Sequence, residues 1–205
     1  MTQAKVKFAS FAEYLAWSND PEHAMAGQFE LVDGELVEVP PESEFNNWIA
    51  RCLMFAIADS GQIAPRLIII HSLELQVPTL QSGDSANRYP DLVILRPEHI
   101  PLTQKRLTIT LEMPPPQLVA EVVSPGKQNR QRDLIRKRDQ YAARGIPEYW
   151  LVDPEAQTVT VLQLQNGSYG EVGVFQGNQS IASPAFPELH LTADQLFQIE
   201  QPEMD

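Results

Sequence analysis

Two carboxylates of this chain stand where carboxylates are costly. Asp91 follows Pro90 and opens the short apolar run DLVIL. Glu121 lies between Ala120 and Val122, inside the apolar run LVAEVV at 118–123. An ionised carboxylate removed from water costs several kcal/mol unless it is paired, hydrogen-bonded or bound to a cation. Asp91 alone reads rather as a loop or cap residue at a strand end. Glu121 alone has a weaker rival reading as half of a buried salt bridge to an Arg on the following helix. On neighbouring strands, the two together point to a shared divalent ion, because carboxylate oxygens are the preferred ligands of Mg²⁺ and Mn²⁺.

A cluster of cations follows. Seven of the fifteen Lys and Arg residues fall at 127–144: Lys127, Arg130, Arg132, Arg136, Lys137, Arg138 and Arg144. A helix is expected at 128–144, with Arg130, Asp133, Lys137, Tyr141 and Arg144 within one face. The plain reading is a solvated face with i,i+4 charge pairs such as Asp133 with Lys137. The chemical reading rests on sequence order, since this helix directly follows the Glu121 strand. A Lys beside two carboxylates and a metal can orient a water or stabilise charge developing on a phosphate.

Composition narrows the class. The 205 residues suit one domain, 43% apolar and 20% charged, as in ordinary globular proteins. The net charge of −12 and pI of about 4.7 argue against a general nucleic-acid binder, which would need Lys and Arg over its surface. Cys52 is the only cysteine, so an intrachain disulfide and a cysteine-based zinc site are both excluded. The first residues carry no apolar signal core, and no apolar run reaches the ~20 residues of a membrane span. A cytoplasmic protein with no membrane partner is the expectation.

The elements that must position these residues are legible as a pattern. A short helix is expected at 11–17, with Ser10 as its N-cap. A hairpin is expected at 29–39 around Asp33-Gly34, whose types suit positive φ. A well-buried helix is expected at 43–58, because its apolar residues run around much of the circumference. The run LIIIHSLELQV at 67–77 reads as one strand, and 81–89 as a polar loop. Strands at 91–95, 118–123 and 149–152 are buried, and Trp150 is expected in the core. Gly145 closes the basic helix. A second hairpin is expected at 159–164 and 169–175 around Asn166-Gly167, and a last short helix at 193–199 behind Thr192. His23, His71, His99 and His190 show no metal-ligand spacing, and each reads as structural or exposed. The class is α/β, a mixed sheet flanked by helices.

Three segments carry a family resemblance: FELVDGELVEVPPES, PDLVIL, and LVAEVVSPGKQNRQRDLIRKRDQYAARGIPEYWLVDPE. Together they resemble the Uma-type restriction endonuclease family of bacteria, within the PD-(D/E)XK nuclease superfamily. The resemblance spans roughly residues 10–197. It implies a restriction-endonuclease-like core, a mixed central β-sheet flanked by helices, with added N- and C-terminal hairpins. On that plan 1–205 is a single domain. The core covers about 43–153, the N-terminal helix and hairpin 10–40, and the C-terminal hairpin and short helix 157–199.

The resemblance also implies Mg²⁺- or Mn²⁺-dependent phosphodiester hydrolysis. Asp91 matches the aspartate of the PD half-motif and Glu121 the second acidic residue, with the Val122 carbonyl as a further metal ligand. The superfamily lysine position is Val123 here, and its role moves to Lys137 on the following helix. Glu42 or Glu44 is the candidate acidic residue from the first core helix. Asn46 stands where many relatives carry His. Arg130, Arg136 and Tyr141 are candidate nucleic-acid contacts. The implied partner is nucleic acid, DNA first, with a homodimer as one assembly that such nucleases adopt. The rival reading is a nucleic-acid or protein binding module that keeps the fold without catalysis.

Overall fold

The computed structural model describes residues 6–23, 25–124 and 132–197, with 132–134 described by their backbone alone. Helix α1 spans Phe11–Ser18, and the Ser10 hydroxyl accepts the Glu13 N–H as its N-cap. Strands β1 (Phe29–Val32) and β2 (Glu35–Glu38) form a two-stranded antiparallel hairpin. Asp33 (φ 48°) and Gly34 (φ 84°) both take the left-handed conformation that its turn requires. Helix α2 spans Glu44–Asp59, capped by Ser43.

Strands β3 (Ile68–Ile70), β4 (Glu74–Gln76), β5 (Asn87–Arg88) and β6 (Leu92–Ile94) follow, then the short helix α3 (His99–Leu102). Next come β7 (Thr108–Ile109) and β8 (Leu118–Val122). A π-helical stretch, Arg132–Lys137, leads into helix α4, Arg138–Arg144. The chain ends with β9 (Glu148–Asp153), β10 (Thr158–Gln165), β11 (Ser168–Gln176) and α5 (Ala193–Phe197).

The main sheet has six strands in the order β11-β10-β9-β8-β6-β3. Only β8 and β9 run parallel, joined through α4; the other pairs are antiparallel. A smaller sheet has the order β5-β4-β7. Alternation along β8 divides the core. Leu118, Ala120 and Val122 face Ile49, Leu53 and Ile57 of α2. Val119 and Val123 face the opposite way, with Tyr141 of α4, Val93 and Leu95. Glu121 occupies this second face by the period of two. So does Asp91, one residue before Leu92 of the α2 face.

Several expectations change. The run at 67–77 is two strands in two different sheets, broken at His71, whose φ is +53°. An extended strand cannot continue through a left-handed residue. Helix α2 is buried on one side only. Ile49, Ala50, Leu53 and Ile57 are enclosed, while Phe45, Trp48 and Phe55 stay exposed because the helix lies in an outer layer. The loop at 81–89 contains β5. The C-terminal hairpin is present as expected, and its strands β10 and β11 extend the main sheet.

Candidate active site

The site lies at the ends of β6 and β8. Leu92 pairs with Ala120, so Val122 is past the last rung of that ladder. Its N–H points to the β6 side and is taken by Asp91 Oδ2 at 2.6 Å. The N–H and C=O of one strand residue face the same neighbour, which turns the Val122 carbonyl to that side too. Asp91 and Glu121 are both almost fully buried.

Glu121 is held from the helical side. Lys137 Nζ stands 2.5 Å from Oε2, and the Tyr141 hydroxyl donates to Oε1 at 2.5 Å. Lys137 and Tyr141 are four residues apart, so one helical face delivers both. Burial pushes the Tyr141 phenol well up, and the Glu121 charge adds to that, so it remains a donor. A buried polar lattice holds α4 in place. Arg88 donates to Gln140 Oε1 through Nε and Nη2, at 3.0 and 2.7 Å, and to Glu30 at 2.9 Å. Gln140 in turn donates to the carbonyls of Pro78 and Ser85.

The start of α2 forms another wall. Asn46 Nδ2 donates to Glu42 Oε2 at 3.2 Å and reaches Ser124 Oγ at 3.5 Å. The Glu42 carboxyl is raised above the usual range, first by desolvation and then by the Asp91 charge. A cleft of about 270 Å³ is lined by Glu42, Asn46, Asp91, Glu121, Val122, Ser124 and Lys137, among others. A second cavity of about 740 Å³ shares Glu42, Tyr89 and Asp91 with it and adds His71 and Glu44. His71 Nδ1 stands 3.3 Å from Asp91 Oδ1. This hydrogen bond is the main cause raising the imidazole pKa, against a smaller opposing effect of burial.

The model for Uma2, described as "Putative restriction endonuclease", matches residues 11–194. The chain belongs to the Uma2 family. A crystal structure from Anabaena variabilis ATCC 29413, described as a putative nuclease belonging to DUF820, matches with a TM-score of 0.63. Identity is 20%, over 95% of this chain and 98% of that one, a likeness that shows a shared fold. No curated protein compared with the chain matches it.

Within this Uma2 chain the predicted residues separate. Asp91, Glu121, Val122, Lys137, Glu42 and Asn46 line one cleft. Glu44 lies further out, on the wider cavity only. Tyr141, expected to touch nucleic acid, is instead wholly buried against Glu121 and edge-on to Tyr149 at 5.1 Å. Arg144, expected on the same face as Lys137, is mostly enclosed and donates to the carbonyls of Thr110 and Met113. Arg136 is partly exposed, donates to the Gly83 carbonyl at 3.1 Å and lies 4.0 Å from Asp84. Arg130 and the Asp133 side chain lie outside the described residues. Sequence reasoning missed His71, Arg88 and Gln140. The signal for His71 was the change within LIIIHSLELQV from an unbroken apolar run to alternation. Arg88 and Gln140 left none, because their pairing joins positions 52 residues apart.

The donor types fit a hard divalent ion. Glu42, Asp91 and Glu121 share the cleft, and burial first, then the Asp91 charge, disfavours ionised Glu42. Among the described residues no three His, Cys, Asp or Glu side chains converge as a ready-made cage. Mg²⁺ does not demand one, since it is held by one or two carboxylates with water and substrate phosphate completing the shell.

Proposed function

We propose that this chain is a metal-dependent endonuclease that hydrolyses phosphodiester bonds of DNA. The observation that carries the reading is the pairing of Asp91 and Glu121 on adjacent strand ends, on one sheet face and in one cleft, with Lys137 against Glu121. Asp91, Glu121 and the Val122 carbonyl would hold Mg²⁺ or Mn²⁺. Such an ion lowers the pKa of a bound water and polarises the phosphate.

The chain's own residues do the rest. Val122 N–H fixes one oxygen of Asp91, and Tyr141 fixes one oxygen of Glu121. Lys137 holds the other Glu121 oxygen, and its cationic head at the cleft would stabilise charge that develops on a phosphate oxygen. Its placement at the end of the π-helical stretch that leads into α4 supports the move of the lysine role away from Val123, whose side chain packs in the core. Arg136, partly exposed, suits contact with backbone phosphates, which positions a substrate without reading sequence. Glu42, just ahead of the Ser43 cap of α2, would supply the acidic group expected at the first core helix.

A non-catalytic binding module is the second reading. It is favoured by the engagement of both Glu121 oxygens by Lys137 and Tyr141. Wild-type protein incubated with plasmid, single-stranded DNA and RNA, with Mg²⁺, Mn²⁺ or EDTA, separates the two. The nuclease reading expects metal-dependent cleavage of DNA that EDTA stops. Binding of nucleic acid without cleavage under any metal contradicts it.

A further inference from the structure

We infer that His71 is a positioning residue of this site, holding Asp91 in the orientation it presents to the cleft. The inference rests on the metal-binding reading of Asp91 given above.

Among the described residues four non-glycine positions have positive φ: Asp33, His71, Gln157 and Asn166. Asp33 and Asn166 sit in Asn/Asp-Gly hairpin turns, and Gln157 in the turn between β9 and β10. His71 is in no hairpin. It stands where the chain leaves the main sheet at β3 and enters the smaller one at β4. Left-handed backbone is uncommon for any residue but glycine, although histidine adopts it more readily than most, and such residues persist where their surroundings over-determine them.

The surroundings here do so on three sides. His71 N–H donates to the Asp91 carbonyl at 3.1 Å. Its own carbonyl accepts a bond from the Gln28 side chain. Its Nδ1 faces Asp91 Oδ1 at 3.3 Å. Residue 71 is therefore locked to residue 91 through backbone and side chain together. With Val122 N–H on Oδ2, both carboxylate oxygens are aimed, and each keeps a lone pair for a cation.

His99 supplies the contrast. Its Nδ1 accepts the Arg96 N–H and its Nε2 faces the Pro114 carbonyl, so both ring nitrogens are used in the core. His71 Nε2 is enclosed and has no hydrogen-bond partner among the described residues. The ring of His71 thus makes its one directed polar contact with Asp91. The charges acting on it are Asp91, Glu42 and Glu121, all acidic groups of the site.

Calorimetric titration of metal-free protein with Mn²⁺ tests this, using wild type, His71→Gly and His71→Asn. Glycine relaxes the backbone and removes the ring. Asparagine tolerates left-handed backbone and retains a donor. The expected result is roughly 10-fold weaker Mn²⁺ binding by His71→Gly, with an unreduced melting temperature, and recovery of most of the affinity in His71→Asn. If His71→Gly does not fold, His71→Ala takes its place. Wild-type affinity in the donor-less variant overturns the inference while leaving the nuclease reading standing. Equal weakening in His71→Asn also overturns it, because a donor held against Asp91 would then not be what the site takes from residue 71. No Mn²⁺ uptake by wild type overturns the metal reading, and the inference falls with it.

Discussion

Lys137 Nζ stands 2.5 Å from Glu121 Oε2, and this ion pair is enclosed, with side-chain exposures of 12% and 3%. Removing one partner of such a pair leaves the other charge buried and poorly compensated, at a cost of about 3 kcal/mol. Lys137→Ala should therefore lower the urea midpoint markedly. Adding Glu121→Gln to it should recover much of the loss, since the stranded charge goes too. Both proteins should lack cleavage activity. A Lys137→Ala protein as stable as wild type would show that the pair is solvated.

Tyr141→Phe removes the only hydroxyl at Glu121 Oε1 that the structure describes. The acceptor left behind is buried, and such a group costs roughly 1–3 kcal/mol. Urea denaturation should show that loss while near-ultraviolet circular dichroism stays native, because the ring still packs on Tyr149. Nucleic-acid affinity should not change, as the ring is inaccessible. Weakened DNA binding with unchanged stability would return Tyr141 to the surface.

A pH dependence follows from His99. Desolvation lowers its pKa below the ordinary value of about 6.5, as suits a ring whose Nδ1 accepts a backbone N–H. The unfolded chain therefore binds the proton more readily than the folded one. The stabilising contribution is full above about pH 6.5 and is lost as pH falls from there through the lowered folded value. Urea midpoints at pH 7.5 and pH 5 should differ more for wild type than for His99→Gln. An equal change in both proteins would assign the acid sensitivity to other groups.

The sequence carried the parts of this fold that depend on local chemistry. Asp33-Gly34, Asn166-Gly167 and Gly145 each mark a required left-handed position, and each is found there. Glu121 stood out because its apolar neighbours already defined a buried strand. Pairing across the chain was less legible. His71 comes to stand beside Asp91 because β3 and β4 join different sheets; the change to alternation hints at the break there but does not say which sheet each half joins. Tyr141 and Arg144 are amphipathic, and their helical phase fits an inward or an outward face equally well. Arg88 became a core residue only through Gln140 and Glu30, which cancel its desolvation.

Asp91→Asn removes one carboxylate charge from the proposed metal site and little else. Asparagine can keep an oxygen for the Val122 N–H and nearly the same volume, while the negative charge disappears. The measurement is the rate of plasmid cleavage in Mn²⁺, compared between wild type and Asp91→Asn at matched melting temperature. Wild type is expected to cleave, and the variant to lose at least about 100-fold, the scale on which a site loses activity when charge stabilisation at the reacting centre is removed. Cleavage by Asp91→Asn at the wild-type rate would contradict the metal-binding role of Asp91.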